Sequence, residues 1–463
     1  VPRGLADVAA GPGAVPSVSM LPPDHPDRAA LAAEVHARPP EALDTPSRAS
    51  YVAMLVGESE REAERAHLAA LCAHFGVPAP AAAANHFRVT LGQMSGDALR
   101  LKWERHGEFS GYTFYRAGLS PQPYTEPPVA LLPPGWLAAL PGRTMAAAHA
   151  KLAPAGDAPP DAAELARHFG EHIVVGAEIG DGAGLAYTDF RMHEDGFGRF
   201  LVLNRSFTPR QAGRMLQRLF EIEAYRMMSL LALPIARAQL PRIVAIESAL
   251  ARLTATIAGG SGGAVDAGLR ETATDDETLL QELTRLAAEV EQALSASQFR
   301  FGACRAYAEL VTTRIAELRE RRLPGLQPVD EFMARRFRPA VATVQTAAQR
   351  LHVLSDRVAQ ASNLLSTRVD IARERQNQAL LASMDRRAKL QLRLQQTVEG
   401  LSVAAIVYYV AGLVGYLAKA AKEAGLPVQP DLVVAFAIPV VAVAALAAVR
   451  RARRHASEGE RPH

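Results

Sequence analysis

Leu401–Leu417 reads LSVAAIVYYVAGLVGYL and Leu432–Val449 reads LVVAFAIPVVAVAALAAV, runs of 17 and 18 residues without a single charge. As helices they cover roughly 26 Å at 1.5 Å per residue, the short end of a bilayer's hydrocarbon core. An amphipathic surface helix would carry a polar stripe, and neither run does. The reading is a pair of transmembrane helices; the alternative is a hairpin buried in a large soluble bundle. Arg386, Arg387, Lys389 and Arg393 precede the first run and Arg450, Arg451, Arg453 and Arg454 follow the second. Cationic flanks stay in the cytoplasm, so both termini are expected inside and the short connection outside. Tyr408, Tyr409 and Tyr416 are candidate interfacial anchors, and Pro439 is expected to kink the second span.

Upstream of the first run the chain has no Gly or Pro from Val341 to Glu399, 59 residues. That predicts roughly 90 Å of helix, too long to bury within one globule. With Phe337 as heptad position a, the column Phe337, Val344, Leu351, Val358, Leu365, Ala372, Ala379 is apolar. The second column, taken as Val341, Ala348, Ser355, Ser362, Val369, Gln376, Ser383, is small and polar, which suits a multi-helix bundle or an intramolecular hairpin with the preceding helix. Further helices are expected at Arg210–Leu233, ending at Pro234, from Pro241 to Ile257, and from a capping box at Thr274–Glu277 to Arg322, before Pro324 and Gly325. Gly259–Gly263 reads as a flexible loop.

The part before Pro209 mixes helices and strands. Arg28–Val35 and Glu58–Phe75 read as helices, the latter closing at Gly76. Strands are expected in two groups: Phe87–Leu91, Ala98–Glu104 and Phe109–Arg116, then Ile173–Ile179, Leu185–Met192 and Arg199–Asn204. Gly180–Gly184 and Asp195–Gly198 are turn sequences between antiparallel neighbours. A Pro-rich stretch from Ser120 to Pro160 separates the groups and contains an expected short helix at Thr144–Leu152. The fold class that follows is an N-terminal α+β cytoplasmic domain with antiparallel strands, then a long-helix bundle or stalk, then a two-helix transmembrane hairpin. The expected divisions are a disordered 1–23, an α+β domain 24–206, a helical domain 207–325, a stalk 326–399, the hairpin 400–449 and a basic cytoplasmic tail 450–463. The segment 1–20 lacks the apolar stretch of a secretory signal, and the initial Val implies an alternative start or a trimmed chain.

A net charge of +3 in 463 residues gives no argument for nucleic acid, because much of the excess sits beside the spans. Cys72 and Cys304 have no metal-type spacing and no expected disulfide role in a cytoplasmic body. Candidate chemistry lies on two alternating strings. One places Lys102, Glu104, His106 and Glu108 on one strand face with Leu101 and Trp103 opposite; the other groups Asp189, Arg191 and His193, with Phe190 and Met192 opposite. If these faces meet, Glu104, His106, Asp189, Arg191 and His193 form a catalytic set, and Glu104, His106, Asp189 and His193 a metal-ligand set. The competing reading is a salt-bridged, solvated sheet face. His168-Phe-Gly-Glu171-His172 matches the inverted zinc-protease pattern, but Gly170 weakens the helix that pattern needs. His67 and His74 read as flanks of a packed surface. No phosphate-binding loop, dinucleotide fingerprint or nucleophile elbow occurs, so no cofactor is implied.

Several strings together carry a resemblance: His25–Arg28 with Glu34–Pro39, Trp103–His106 with Glu108-Phe109, and Thr188–Arg191 with His193 and Asp195–Phe197. Glu221–Met228, Thr367–Asp370 and Leu390–Ser402 complete the set. The chain resembles the bacterial family termed domain of unknown function 3422, predicted membrane-anchored proteins, over roughly residues 24–416. The resemblance implies membrane anchorage, in a bacterial inner membrane, and no reaction. The layout of an α+β head, a very long helix and two C-terminal spans is also similar to that of CorA-type divalent-cation channels, but their Gly-Met-Asn loop is missing after Leu417. The expectations are therefore a homo-oligomeric, non-enzymatic scaffold, sensor or binding head whose partners are lipid and its own copies. The alternatives are an ion channel or transporter of CorA-like layout, or a membrane-tethered enzyme using the histidines above.

Overall fold

The computed structural model describes residues 24–29, 31–32, 39–82, 84–94, 97–259, 271–424, 427 and 429–458. The expectations for 1–23, for most of the Gly259–Gly263 loop and for the end of the Arg28–Val35 helix fall outside them. Two compact units are formed, one within residues 1–259 and 283–359, the other within 260–282 and 360–463.

The first unit is built on one nine-stranded sheet of order β2-β3-β4-β1-β5-β8-β7-β6-β9. The strands are β1 (Ser47–Leu55), β2 (His86–Met94), β3 (Asp97–Arg105), β4 (Phe109–Ala117), β5 (Arg143–Pro154), β6 (Val175–Ile179), β7 (Gly184–Thr188), β8 (Gly198–Asn204) and β9 (Arg321–Arg322). All neighbours are antiparallel except β5 and β8, so the sheet is mixed rather than wholly antiparallel. The Thr144–Leu152 helix expected from its alanines is instead the middle of β5. Intrinsic propensity lost there to tertiary context: β5 lies between β1 and β8, and small side chains such as Ala148 and Ala150 let a helix approach the sheet.

Helices cover both faces. α1 (Arg61–His74) buries Glu64, Leu68, Leu71 and Cys72, a stripe at helical spacing. It packs on Val52, Met54, Leu99, Leu101, Trp103, Tyr112 and Phe114, and Trp136 closes the same core. α2 (Ala162–Phe169), N-capped by Asp161, sends Leu165 and Phe169 onto Leu185, Tyr187, Leu201 and Leu203. α3 (Pro209–Leu230) lies along β5 and β8 on the opposite face, where Phe220 stacks on Tyr51 at 5.0 Å. Alternation explains the division, since Tyr51 and Val52 must point to opposite faces. Gly213 of α3 is forced by proximity: a Cβ there would lie 1.6 Å from the Glu41 carbonyl oxygen.

α4 (Ala232–Gly259) follows after one residue, with Pro234 in its first turn and Pro241 inside it, so neither proline marks the boundary expected of it. α5 (Glu271–Leu318) is fastened to α3 by Arg218–Glu317, by Arg314–Glu221 and by the Ser229 hydroxyl donating to the Cys304 carbonyl at 3.0 Å. β9 then returns to the sheet edge, and α6 (Val329–Arg336) leads into α7 (Arg338–Glu423). After the buried Phe337 that joins it to α6, α7 buries Val341, Val344, Ala347, Leu351, Leu354, Val358, Ala361 and Leu365 over its first part. The a column is as expected, but the second seam runs three residues after each a, through Ala347, Leu354 and Ala361, not through the half-buried Ala348, Ser355 and Ser362. Leu354 makes the seam more apolar than the sequence column implied. Arg350 of α7 forms a two-bond ion pair with Glu247 of α4, at 2.6 and 3.1 Å.

In the second unit the helix α7 continues unbroken through Gly400, and α8 (Pro430–Glu458) carries the second apolar run with Pro439 inside it. Ala411 in the first run and Ala418 just past it are buried, and a Cβ on Gly415 would meet Val434 at 3.2 Å, so a small-residue face seats α8. Among the described residues three stretches suffice by length and composition to cross a membrane, Pro209–Ala258, Arg338–Glu423 and Pro430–Arg451; the first is the α3–α4 region, of which α3 packs on the sheet.

Glu64 is buried to 1 % exposure and accepts from the Trp103 indole at 3.1 Å and the Tyr112 hydroxyl at 2.7 Å. Glu64→Ala leaves both donors unpaired in the core and is expected to cost about 2–4 kcal/mol in denaturant unfolding, with Glu64→Gln costing less. The seam is tested in the same assay: Leu354→Ser should cost about 2–4 kcal/mol, whereas Ser355→Ala should be near neutral.

Candidate functional site

Register decides which of the candidate residues meet. In the sheet order β3 and β7 are five strands apart, roughly 24 Å at the usual strand spacing, so Glu104 and His106 do not join Asp189 and His193. The five-residue set expected from the two alternating strings is therefore not assembled.

Glu104 faces α3 from a closed polar layer. Lys102 Nζ lies 2.8 Å from Glu104 Oε2 and donates to Gln217 at 3.0 Å, and Gln217 donates on to Glu221 at 2.7 Å. Burial pushes the Lys102 ammonium below its ordinary range, with Glu104 opposing the shift. His106 sits at the β3–β4 turn, stacked on Phe109 at 4.3 Å. With Arg61, Arg105, Tyr225 and Tyr307 it lines an open cleft of about 460 Å³. Arg300 holds the adjacent Glu108 through two bonds of 2.7 and 3.1 Å.

The other candidates lie where the β6–β7 hairpin opens. Val175, the first residue of β6, pairs with Thr188, the last of β7, so the residues just before β6 lie beside those just after β7. β7 ends at Thr188, earlier than the alternating reading to Met192 required. The Thr188 hydroxyl then accepts from the Phe190 amide at 3.2 Å, and Phe190 takes φ of 51°. This turn replaces strand alternation by a reversal that brings Asp189 and His193 together and leaves Arg191 exposed. Asp189 Oδ2 lies 2.7 Å from His172 Nδ1 and 2.9 Å from His193 Nε2, and Oδ1 accepts from the Arg191 amide at 3.1 Å. The Asp189 side chain is fully buried, while His172 and His193 retain 35 % and 19 % exposure. These three donors lie within 4.8 Å of one another and could hold a metal ion.

His172 was singled out in the sequence only as the last residue of His-x-x-Glu-His. The helix of that pattern ends at Phe169, Gly170 takes φ of 65°, and His168 turns into the core, so the motif does not form a ligand pair. The signal that would have found His172 is the hairpin itself: two strands joined at 180–183 place their outer ends side by side.

A Ser–His–Asp series also occurs. Ser50 Oγ is 2.9 Å from His149 Nδ1, and His149 Nε2 is 3.7 Å from Asp195 Oδ2. Ser50 is fully buried, His149 is stacked flat on Phe197 at 3.9 Å, and burial beside Arg199 lowers the imidazole to about 3. A hydroxyl without access and an imidazole that weak as a base make no nucleophile pair.

The chain belongs to the family described as protein of unknown function (DUF3422), whose profile matches residues 23–456. Comparison with curated proteins and with solved structures finds no match.

The His149 arrangement predicts a pH dependence. Its folded pKa lies below the 6.5 of the free side chain, so only the unfolded chain takes up a proton as pH falls from about 6.5 towards 3. The stabilisation present above pH 6.5 is therefore lost by up to about 1.4 kcal/mol per pH unit. His149→Gln should remove that part of the slope between pH 6.5 and 4 in urea unfolding, the two proteins diverging progressively towards acid.

Proposed function

We propose that this protein is a bacterial inner-membrane protein with a cytoplasmic binding head, self-associating through its long helix and its two spans. One observation carries the reading. The helices of the second unit expose Leu401, Ile406, Leu413, Leu417, Leu432, Phe436, Val440, Val443 and Leu446, a continuous apolar surface with no protein against it. Water would not tolerate so large a surface, and lipid would. The cationic flanks set the head and both termini on the cytoplasmic side.

Self-association is supported by the part of α7 that follows the first unit. Residues 370–398 are exposed all round, and Leu380, Met384, Leu390, Leu394 and Val398 recur there at spacings of four to six. Apolar side chains on an isolated helix find partners on copies of the same helix, where they form a seam.

The test is the mass of the detergent-solubilised full-length protein by size exclusion with light scattering, together with extraction of membranes by alkaline carbonate. The expected result is a pellet-retained protein that runs as a stable oligomer, with Leu390→Glu/Leu394→Glu reducing it to smaller species. Release into the supernatant would overturn the anchor, and a strict monomer would overturn self-association.

A further inference from the structure

We propose that His172, Asp189 and His193 form a binding site for a zinc-type divalent transition-metal ion, with one coordination position left open to solvent. The ligand atoms are His172 Nδ1, Asp189 Oδ2 and His193 Nε2. The site is independent of the membrane reading, since all three residues lie in the sheet-containing unit.

The three donor atoms, within 4.8 Å of one another, stand close to the spacing an ion needs. A tetrahedral zinc with ligands at about 2.0–2.1 Å spaces them roughly 3.3 Å apart. The two distances to the carboxylate oxygen are 2.7 and 2.9 Å. Retreat of each imidazole by about half an ångström opens the seat, a change within reach of side-chain rotation alone.

Hydrogen bonding alone does not account for the cluster. His172 donates to Asp189, but His193 Nε2, directed at the same oxygen, makes no hydrogen bond and is shielded from solvent. A shielded imidazole nitrogen that meets its neighbour outside hydrogen-bond geometry is costly, whereas its lone pair is what a metal requires. The carboxylate is meanwhile held from behind by the Arg191 amide, which leaves Oδ2 for the ion and fixes its direction.

The donor set selects the metal. Two imidazoles and one carboxylate suit zinc and its neighbours, while magnesium and calcium seek oxygen ligands. Three protein ligands leave one tetrahedral position unfilled, the arrangement of sites that bind water or an exogenous ligand rather than of closed structural sites. Ile173 and Met192, next to the two histidines in the chain, are 75 % and 78 % exposed.

The experiment uses untagged full-length protein in detergent, stripped with a chelator and titrated separately with Zn2+ and Co2+. The expected result is one ion per chain at micromolar or tighter affinity, with visible Co2+ bands of a four- or five-coordinate site and a rise in melting temperature with Zn2+. His172→Ala and His193→Ala should each weaken Zn2+ by about 100-fold or more and abolish the thermal shift. Their metal-free melting temperatures, compared with the parent's, report that they fold. No binding at about 100 µM Zn2+ overturns the site, as does binding that both variants retain, which would place the ion elsewhere among the 13 histidines. Mg2+ or Ca2+ bound in preference would overturn the choice of metal.

Discussion

Strand β1 is the constraint on which the head depends. Its nine residues hydrogen-bond to β4 on one side and β5 on the other, so they join the strand group before the Pro-rich stretch to the group after it. Without β1 the chain would hold two small meanders, each with an exposed edge and half a core. With it, both groups share one sheet, and α1 and α3 each find a broad apolar face to cover. The same strand also fixes the separation of the candidate sites. Because β4, β1, β5 and β8 stand between β3 and β7, the polar layer around Glu104 and the cluster around Asp189 are separate chemistries on one scaffold.

The burial of charge beneath α3 and α5 follows from this construction. Lys102, Glu104, Gln217, Glu221, Arg314, Glu317 and Arg218 run as linked pairs from the sheet across α3 to α5. Each ion is partly desolvated, and each has a partner of opposite sign or a hydrogen bond to offset that cost. Such a layer adds little net stability compared with apolar packing, but it fixes register: α3 shifted by one turn would leave Lys102 without Gln217 and Glu221 without its link to the sheet. It therefore orients the helices on the sheet more than it holds them there.

What could be read from the sequence, and what could not, divides along physical lines. The helices α3, α5 and α7 are legible because apolar spacing, and in α7 the run from Val341 to Glu399 without Gly or Pro, speak locally. So are the β6–β7 and β7–β8 turns, whose Gly and Asp residues are demanded by backbone conformation. β1 is not, because Ser47–Leu55 is buried on both faces and shows no alternation. β5 was mistaken for a helix because its alanines record the approach of α3, a tertiary fact. Among the candidate residues, Asp189 and His193 were placed on one strand face for a reason that does not hold, since the strand ends at Thr188. Their proximity comes from the turn at Phe190, and that of His172 from pairing across the hairpin, which no single stretch displays.

The turn at Phe190 also connects the cluster to the long helix. Phe190 lies between Asp189 and Arg191, and its ring stacks on Phe332 of α6 at 5.1 Å while Arg226 of α3 covers it at 5.4 Å. α6 is anchored at its start by Glu320, whose carboxylate accepts from the Val329 and Asp330 amides, and it feeds into α7 at Phe337, itself buried. Asp189 thus adjoins in the chain a ring clamped between α3 and α6, the helix that leads into α7. Phe190 is the residue where the two meet: its positive φ is what brings Asp189 and His193 together, and its ring is what touches α6. The strain of that backbone conformation in a bulky residue is offset by stacking on both sides, so the geometry of the cluster and the seating of α6 are set by one side chain.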